Sequence, residues 1–216
     1  MQKSNFLPIL FMLSFSVNAN LFAQKLENVD ISKVTTTVNR TISMNVVDKQ
    51  HILSVNPGPG AGIIMIKYPT FENGEIEFEV KGRDVHQKSF VGFAFHIKNE
   101  KNYEAIYFRP FNFRATDELR KKHAVQYVSL PNYDWEVLRN HHPLQYEQPI
   151  GENLDPNEWF KVRIKVEAGK ISVFTNDEPQ PCLVVNPLGD LKSGKIGFFT
   201  GDDSPGIFRN LKISRK

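Results

Sequence analysis

The stretch that decides the fold is Glu75-Ile76-Glu77-Phe78-Glu79-Val80. Apolar and acidic residues alternate here with a period of two, which places Ile76, Phe78 and Val80 on one face of a β-strand and the glutamates on the other. Asn73-Gly74, directly before it, is a typical turn pair. The stretch therefore predicts a strand with one face in a core and the other in solvent.

Similar short runs, separated by turn residues, follow toward the carboxyl end, and sustained helical periodicity is almost absent. They are residues 90–97, 103–109, 124–130, 159–167, 170–175, 194–200 and 206–214. Ala168-Gly169 predicts a tight hairpin between two of them. Many strands joined by turns predict an all-β fold, a two-sheet antiparallel sandwich of jelly-roll type.

The amino-terminal segment has the features of a secretory signal peptide, which we assign to residues 1–23. Lys3 precedes an apolar run over residues 6–17, and small residues give two cleavage points, after Ala19 or after Ala23. The run is too short to span a bilayer, and no cysteine near it could carry a lipid. We expect a secreted or periplasmic protein without a membrane anchor.

The charge balance and the cysteine content of the chain argue against some classes of partner and of covalent structure. The chain of 216 residues has 27 basic and 24 acidic side chains, a near-balance that argues against nucleic acid as a partner. Its single cysteine, Cys182, excludes an intramolecular disulfide and is interpreted as a small apolar residue. The basic cluster Arg114, Arg120, Lys121 and Lys122 is either a solvated loop or short helix, or a weak anion site.

We expect one jelly-roll domain over residues 24–216, with a long insertion near residues 110–156. The insertion exceeds a plain hairpin loop and concentrates aromatic, histidine, arginine and amide side chains. Loops of this kind carry function on rigid scaffolds. The insertion is therefore the predicted location of a binding site.

The carboxyl-terminal half resembles a known group of proteins. The matching motifs are Glu158-Trp159-Phe160-Lys161-Val162-Arg163-Ile164, Gly169-Lys170-Ile171-Ser172-Val173-Phe174-Thr175-Asn176, Gly194-Lys195-Ile196-Gly197-Phe198 and Phe208-Arg209-Asn210-Leu211-Lys212-Ile213. With the strands before them, they resemble the concanavalin A-like and laminin-G-like jelly rolls, in particular the secreted bacterial 3-keto-disaccharide hydrolase domains. The resemblance covers about residues 70–214. It implies a carbohydrate ligand and hydrolase activity.

Planar donors and aromatic rings in and beside the insertion suit a sugar, because guanidinium and amide groups fix hydroxyls while a ring covers the apolar face. The predicted ligand-binding residues, expected to face one groove, are Arg109, Asn112, Arg114, Gln126 and Trp135. The alternative is structural: Phe111 and Phe113 pack the loop, and the arginines hold nearby carboxylates.

Catalytic residues are not identifiable from motifs. Glu75, Glu77 and Glu79 resemble the alternating acids of concanavalin A-like glucanases, but Val80 stands where the last acid is needed. A solvated strand face is the better interpretation, with Lys67, Lys81 or Lys165 as cross-strand partners.

No catalytic metal site, cofactor or Gly-x-Ser-x-Gly nucleophile motif is expected. Asp202-Asp203 is either a tight surface turn or part of a structural calcium site. Two functions remain: a carbohydrate-binding or carbohydrate-processing protein, including a glycoside or 3-keto-disaccharide hydrolase, or a non-catalytic adhesive or structural module that binds protein.

Overall fold

The computed structural model describes residues 25–151 and 154–215. The predicted signal peptide and both of its cleavage points lie outside these residues. In chain order the strands are β1 (Glu27–Asn28), β2 (Val34–Val38), β3 (Ile42–Val47), β4 (Gln50–Val55), β5 (Gly62–Phe71), β6 (Gly74–Lys81), β7 (Val91–Asn99), β8 (Asn102–Phe108), β9 (Val125–Ser129), β10 (Glu147–Gln148), β11 (Trp159–Glu167), β12 (Lys170–Thr175), β13 (Leu183–Val185), β14 (Gly194–Thr200) and β15 (Gly206–Arg215).

These strands form two antiparallel sheets. Sheet A has the order β13-β12-β11-β6-β15-β4-β3, with β1 paired to β15. Sheet B has the order β10-β9-β8-β7-β14-β5-β2. The prediction of an all-β, two-sheet antiparallel jelly-roll sandwich is confirmed.

The core lies between the sheets and is rich in phenylalanine. Phe78 of sheet A packs on Phe93 and Phe198 of sheet B, with ring centroids 5.3 and 5.9 Å apart. Ile76, Phe78 and Val80 are 0% exposed, as their alternation predicted. The glutamates between them point to the opposite, outer face of sheet A.

The partners of these glutamates differ from those expected. Lys212 contacts Glu77 at 2.8 Å, Arg209 contacts Glu79 at 2.7 Å, and Arg163 lies 3.9 Å from Glu75. Lys165 is opposite Glu75 in register but pairs with Glu167 instead. The solvated face is thus present, but two of its cations come from β15, which the sequence alone does not place beside β6.

The segment predicted as an insertion contains a 3-10 turn (Pro110–Asn112), helix α1 (Glu118–Lys122), β9, helix α2 (Trp135–His141) and β10. Because β9 and β10 extend the edge of sheet B, the segment is partly continuous with the sandwich. Three residues of the basic cluster, Arg120, Lys121 and Lys122, lie in helix α1, whereas Arg114 precedes it. Asp117 caps this helix, and its carboxylate accepts from the Arg120 amide.

The Asp202-Asp203 pair forms a turn held by other groups. Asp202 accepts a hydrogen bond from the Gly60 amide at 2.7 Å, and Asp203 pairs with Lys88. Among the residues that the structure describes, no three His, Cys, Asp or Glu side chains gather in an arrangement suited to a metal ion. Within the same part of the chain, no helix is long and apolar enough to cross a membrane.

Candidate functional site

The outer face of sheet B forms the floor of the site. Phe93 and Phe198 point toward sheet A, so strand alternation turns their neighbours Ala94, Gly197 and Phe199 the other way. Tyr107 and Phe199 of this face border an open space above the sheet. The loop before β7 and the segment from the 3-10 turn to α2 rise around that space.

A cavity of about 450 Å³ occupies this space, and we call it the polar cavity. Its walls combine arginine, histidine and aromatic side chains from loops far apart in the sequence. They are His86, Gln87, Phe90, Tyr107, Arg109, Phe111, Asn112, Arg120, His123, Trp135, Arg139 and Asp202.

One buried carboxylate organises the charges behind the wall. Glu147, 2% exposed, accepts two hydrogen bonds from Arg139, at 3.1 and 2.7 Å. Its Oε2 also lies 3.8 Å from Nη1 of Arg109 and 2.7 Å from Nδ1 of His123. Two guanidinium groups therefore share one carboxylate, which leaves the cluster with an excess of positive charge.

His123 is the titratable group best placed for chemistry in the cavity. Burial lowers its pKa; nearby Glu147 opposes this shift, and Arg139 and Arg109 add to it. Nδ1 lies close to Glu147 but off the direction of a hydrogen bond, so this buried atom has no hydrogen-bond partner. At neutral pH the imidazole is therefore uncharged and carries a nitrogen that can accept a proton.

Arg109 fixes the geometry beneath the cavity. It donates to the His123 carbonyl at 2.8 Å, the Tyr107 hydroxyl at 3.0 Å and Oε1 of Gln126 at 3.2 Å. Burial, the largest influence, raises the pKa of Tyr107, so this hydroxyl stays protonated. Only 5% of Arg109 is exposed, so this residue is mainly a support for Tyr107 and the backbone of His123.

The five residues predicted to bind ligand are divided by the structure. Arg109, Asn112 and Trp135 line the polar cavity. Gln126 is buried behind Arg109, with its amide donating to the Tyr146 carbonyl, and it does not line the cavity. Arg114 lies outside it as well, paired with Asp155 at 3.0 Å near the surface. The single groove expected for all five therefore contains three of them.

Trp135 is the most exposed aromatic side chain of the cavity, with 46% of its surface accessible. It is the first residue of α2, and the guanidinium of Arg139 lies 5.2 Å from the centre of its ring. Asp134 caps this helix by accepting from the amides of Glu136 and Val137. The cap and the Arg139 contact hold the indole at the cavity rim.

Sequence reasoning missed several wall residues. His86 comes from the loop before β7, yet its ring meets Phe111 edge-on with centroids 5.3 Å apart. Arg120, predicted to lie in a solvated loop or short helix or in a weak anion site, donates to the Phe111 carbonyl at 3.0 Å. Arg139 had no assigned role. No local pattern reports such contacts, because they depend on how separate loops meet above the sheet.

A second, smaller cavity of about 250 Å³ adjoins the first and is largely apolar, so we call it the apolar cavity. Phe90, Tyr107, Trp135 and Asp202 border both cavities. Val128, Leu130 and Phe199 form much of the remaining wall. A single ligand can therefore extend from one cavity into the other.

Solved structures similar to this chain share its sandwich fold. The carbohydrate-binding module CBM66 from Bacillus subtilis has a TM-score of 0.55 at 12% identity, over 84% of this chain and 96% of that one. The exoplasmic domain of VIP36, bound to Ca²⁺ and Man3GlcNAc, has a TM-score of 0.56 at 12% identity, over 89% and 91%. The β-glucanase of Bacillus licheniformis has a TM-score of 0.51 at 15% identity, over 92% and 95%.

Comparison with curated proteins finds no match. Comparison with family models does find one, to the 3-keto-alpha-glucoside-1,2-lyase-like domain, over residues 23–214. This match includes both sheets and every wall residue of the two cavities. The chain therefore belongs to the 3-keto-alpha-glucoside-1,2-lyase-like domain family.

Proposed function

We propose that the polar cavity binds the sugar ring of a 3-keto glycoside and that His123 starts its cleavage by elimination. The observation that carries this proposal is the position of His123 in the cavity wall, among Arg109, Arg120 and Arg139. The family description names a lyase acting between C1 and C2 of such sugars. The chemistry of the cavity is consistent with that reaction.

A ketone at C3 makes the hydrogen on C2 acidic, because the charge left on C2 is shared with the ketone oxygen as an enolate. In the proposed step His123 takes the C2 proton, and the electrons of that bond form a C1–C2 double bond. The C1–O bond breaks, and the departing oxygen takes a proton from solvent. The products are an alcohol and a 2-hydroxy-3-keto glycal. Positive charge beside the enolate stabilises it, and the arginine-rich wall supplies that charge.

Glycosidase chemistry of the two-carboxylate type is less well supported. It needs an acid and a second carboxyl group facing each other across the bond. Of the described wall residues of the polar cavity, Asp202 alone carries a carboxylate, and that group is engaged by the Gly60 amide. Glu147 lies behind the wall with two guanidinium partners. We therefore favour elimination over direct hydrolysis.

The test uses a 3-keto α-glucoside with deuterium at C2. Elimination predicts a primary isotope effect and loss of that deuterium to solvent, whereas hydrolysis leaves it in the sugar. His123→Gln should lower kcat by about a hundredfold or more, the usual scale for losing a general base. Arg114→Gln is the matched control, because this side chain lies outside the cavity, and it should retain wild-type rates. Deuterium retained in the released sugar would contradict the proposal.

A non-catalytic carbohydrate-binding module is the second candidate, favoured by the exposed indole of Trp135 at the rim. Binding of glycans on an array, with no turnover of any 3-keto sugar, would support this candidate instead. Binding to protein alone would support the adhesive alternative.

We further propose that the chain is exported by the signal peptide of residues 1–23 and works in the periplasm or outside the cell. Lys3 and the apolar run after it support this location.

A further inference from the structure

The apolar cavity continues the proposed sugar site in one direction. Phe90, Tyr107 and Trp135 stand at the junction, and the ring of Tyr107 stacks on Phe199 with centroids 5.4 Å apart. Beyond this junction the wall changes from arginine and histidine to Val128 and Leu130. A ligand that spans both cavities therefore meets polar groups at one end and hydrocarbon at the other.

The wall of the apolar cavity has few polar side chains, and three of them already have hydrogen-bond partners. Asp134 accepts from two amides at the start of α2, and Asp202 accepts from the Gly60 amide. The hydroxyl of Tyr107 accepts from Arg109. A second sugar in this cavity would lose water from its hydroxyls and find poor replacement for it, which is costly. An apolar group has no hydrogen bonds to water to lose, and it would cover the hydrocarbon side chains of the wall.

We propose that the substrate carries an aromatic aglycone, and that this group occupies the apolar cavity while the 3-keto sugar occupies the polar one. The proposal rests on the proposed function for its sugar half. An apolar cavity of roughly 150 Å³ holds benzene in another protein. The cavity of about 250 Å³ therefore has room for one substituted aromatic ring. The substrate class is aryl-bearing 3-keto glycosides rather than 3-keto disaccharides.

The test compares three substrates: benzyl 3-keto-α-glucoside, methyl 3-keto-α-glucoside and a 3-keto disaccharide whose second unit is glucose. Benzyl and methyl aglycones both depart as simple alcohols, so a difference between them reports binding rather than leaving-group chemistry. We expect kcat/KM for the benzyl compound to exceed that of the methyl compound by about tenfold or more. Equal values for the two, or a preference for the disaccharide, would overturn the proposal.

Val128→Thr places a hydroxyl in the apolar wall with little change of volume. It should lower the benzyl-to-methyl ratio of kcat/KM severalfold. Val184→Thr makes the same change at an exposed position of β13 in sheet A, and it should leave the ratio unchanged. An unchanged ratio in folded Val128→Thr would count against the assignment.

A binding measurement separates this proposal from the proposed function. Saturation-transfer NMR with benzyl alcohol, the released aglycone, reports occupancy of the apolar cavity without any turnover. If no 3-keto sugar reacts but benzyl alcohol binds to the wild type and less to Val128→Thr, the elimination proposal fails and the aromatic subsite stands. If benzyl alcohol does not bind at millimolar concentration, the subsite proposal fails regardless of turnover.

Discussion

At the scale of single residues, the charges around His123 determine what its imidazole can do. Glu147 alone would favour the protonated ring, but the carboxylate is shared with Arg139 and approached by Arg109. Burial adds the largest effect and favours the neutral ring. Such an imidazole is already deprotonated at neutral pH and can therefore accept a proton directly from the substrate.

The pH dependence of the reaction follows from this arrangement. Since the base works when neutral, kcat/KM should rise with pH through the His123 pKa and then stay level. Because that pKa is lowered, the rise should be centred below about 6.5, the ordinary value for histidine. Glu147→Gln removes an influence that raises the pKa, so it should move the midpoint further down. A pH–rate profile on both proteins checks this, and a midpoint above that of free histidine would contradict it.

Trp135→Ala should weaken ligand binding and leave stability nearly unchanged. The side chain is 46% exposed, so its removal opens no core cavity. Loss of a surface that covers one face of a ligand should cost on the order of 1 to 3 kcal/mol, or about five- to a hundredfold in affinity. Calorimetric titration and thermal melting of the same protein check the two halves of this prediction. A large drop in melting temperature with normal affinity would refute it.

Arg109 provides the contrasting variant. The sequence predicted Arg109 as a ligand-binding residue, but its buried guanidinium donates to three hydrogen-bond acceptors. Arg109→Ala leaves buried acceptors without their donor, while Arg139 still neutralises Glu147, so we expect a loss of about 1 to 3 kcal/mol of stability. That corresponds to a fall of roughly 2 to 12 °C in melting temperature. A melting temperature of Arg109→Ala equal to that of the wild type would show that Arg109 does not stabilise the residues beneath the cavity.

At the scale of elements, most strands from β6 onward were predictable, whereas helix α2 was not. The bounds of β11, β12 and β14 match those expected, because alternation and turn residues are local signals. Helix α2 was missed, since seven residues contain too little periodicity and its stability depends on the Asp134 cap and on packing of Leu138. The sequence pattern therefore did not predict the helix that carries Trp135 and Arg139.

The outer face of β6 is an element whose function can be tested directly. Glu77 lies on sheet A and pairs with Lys212, on the opposite side of the sandwich from the cavities. Glu77→Gln should leave turnover of a 3-keto glycoside unchanged and cost at most about 1 kcal/mol, as is usual for a partly exposed ion pair. Steady-state kinetics beside His123→Gln and a denaturant titration check this. A hundredfold loss of kcat in Glu77→Gln would show that catalysis takes place on sheet A and not in the cavities on sheet B.

At the scale of the whole molecule, the outer faces of the two sheets differ in character. Sheet A has a face of paired charges, while sheet B supports the cavities on its outer face. The sequence predicted the sandwich because the alternation of apolar and polar residues, clearest in β6, indicates which face of a strand is buried. It predicted Arg109, Asn112 and Trp135 as neighbours of one site because they lie in one segment. It could not place Gln126 or Arg114, whose positions depend on the pleat of β9 and on a contact with Asp155.

Export is a property of the whole chain and remains a prediction. Cleavage of the signal peptide after Ala19 or after Ala23 should make the mature protein start at Asn20 or at Gln24. Intact-mass analysis of protein recovered from the periplasm or medium checks this. A retained amino terminus, or an added lipid mass, would contradict the assignment.

The position of β15 has a consequence for the order in which the molecule can form. This strand lies between β6 and β4 and also pairs with β1, so Glu27 meets Ile213 across the sheet. Sheet A cannot close until residues near the carboxyl end have been synthesised. Pairings between such distant parts of a chain form slowly. A growing chain therefore lacks a complete sheet A until nearly all of it has been made, a property that would favour the proposed export of the chain as an extended polypeptide.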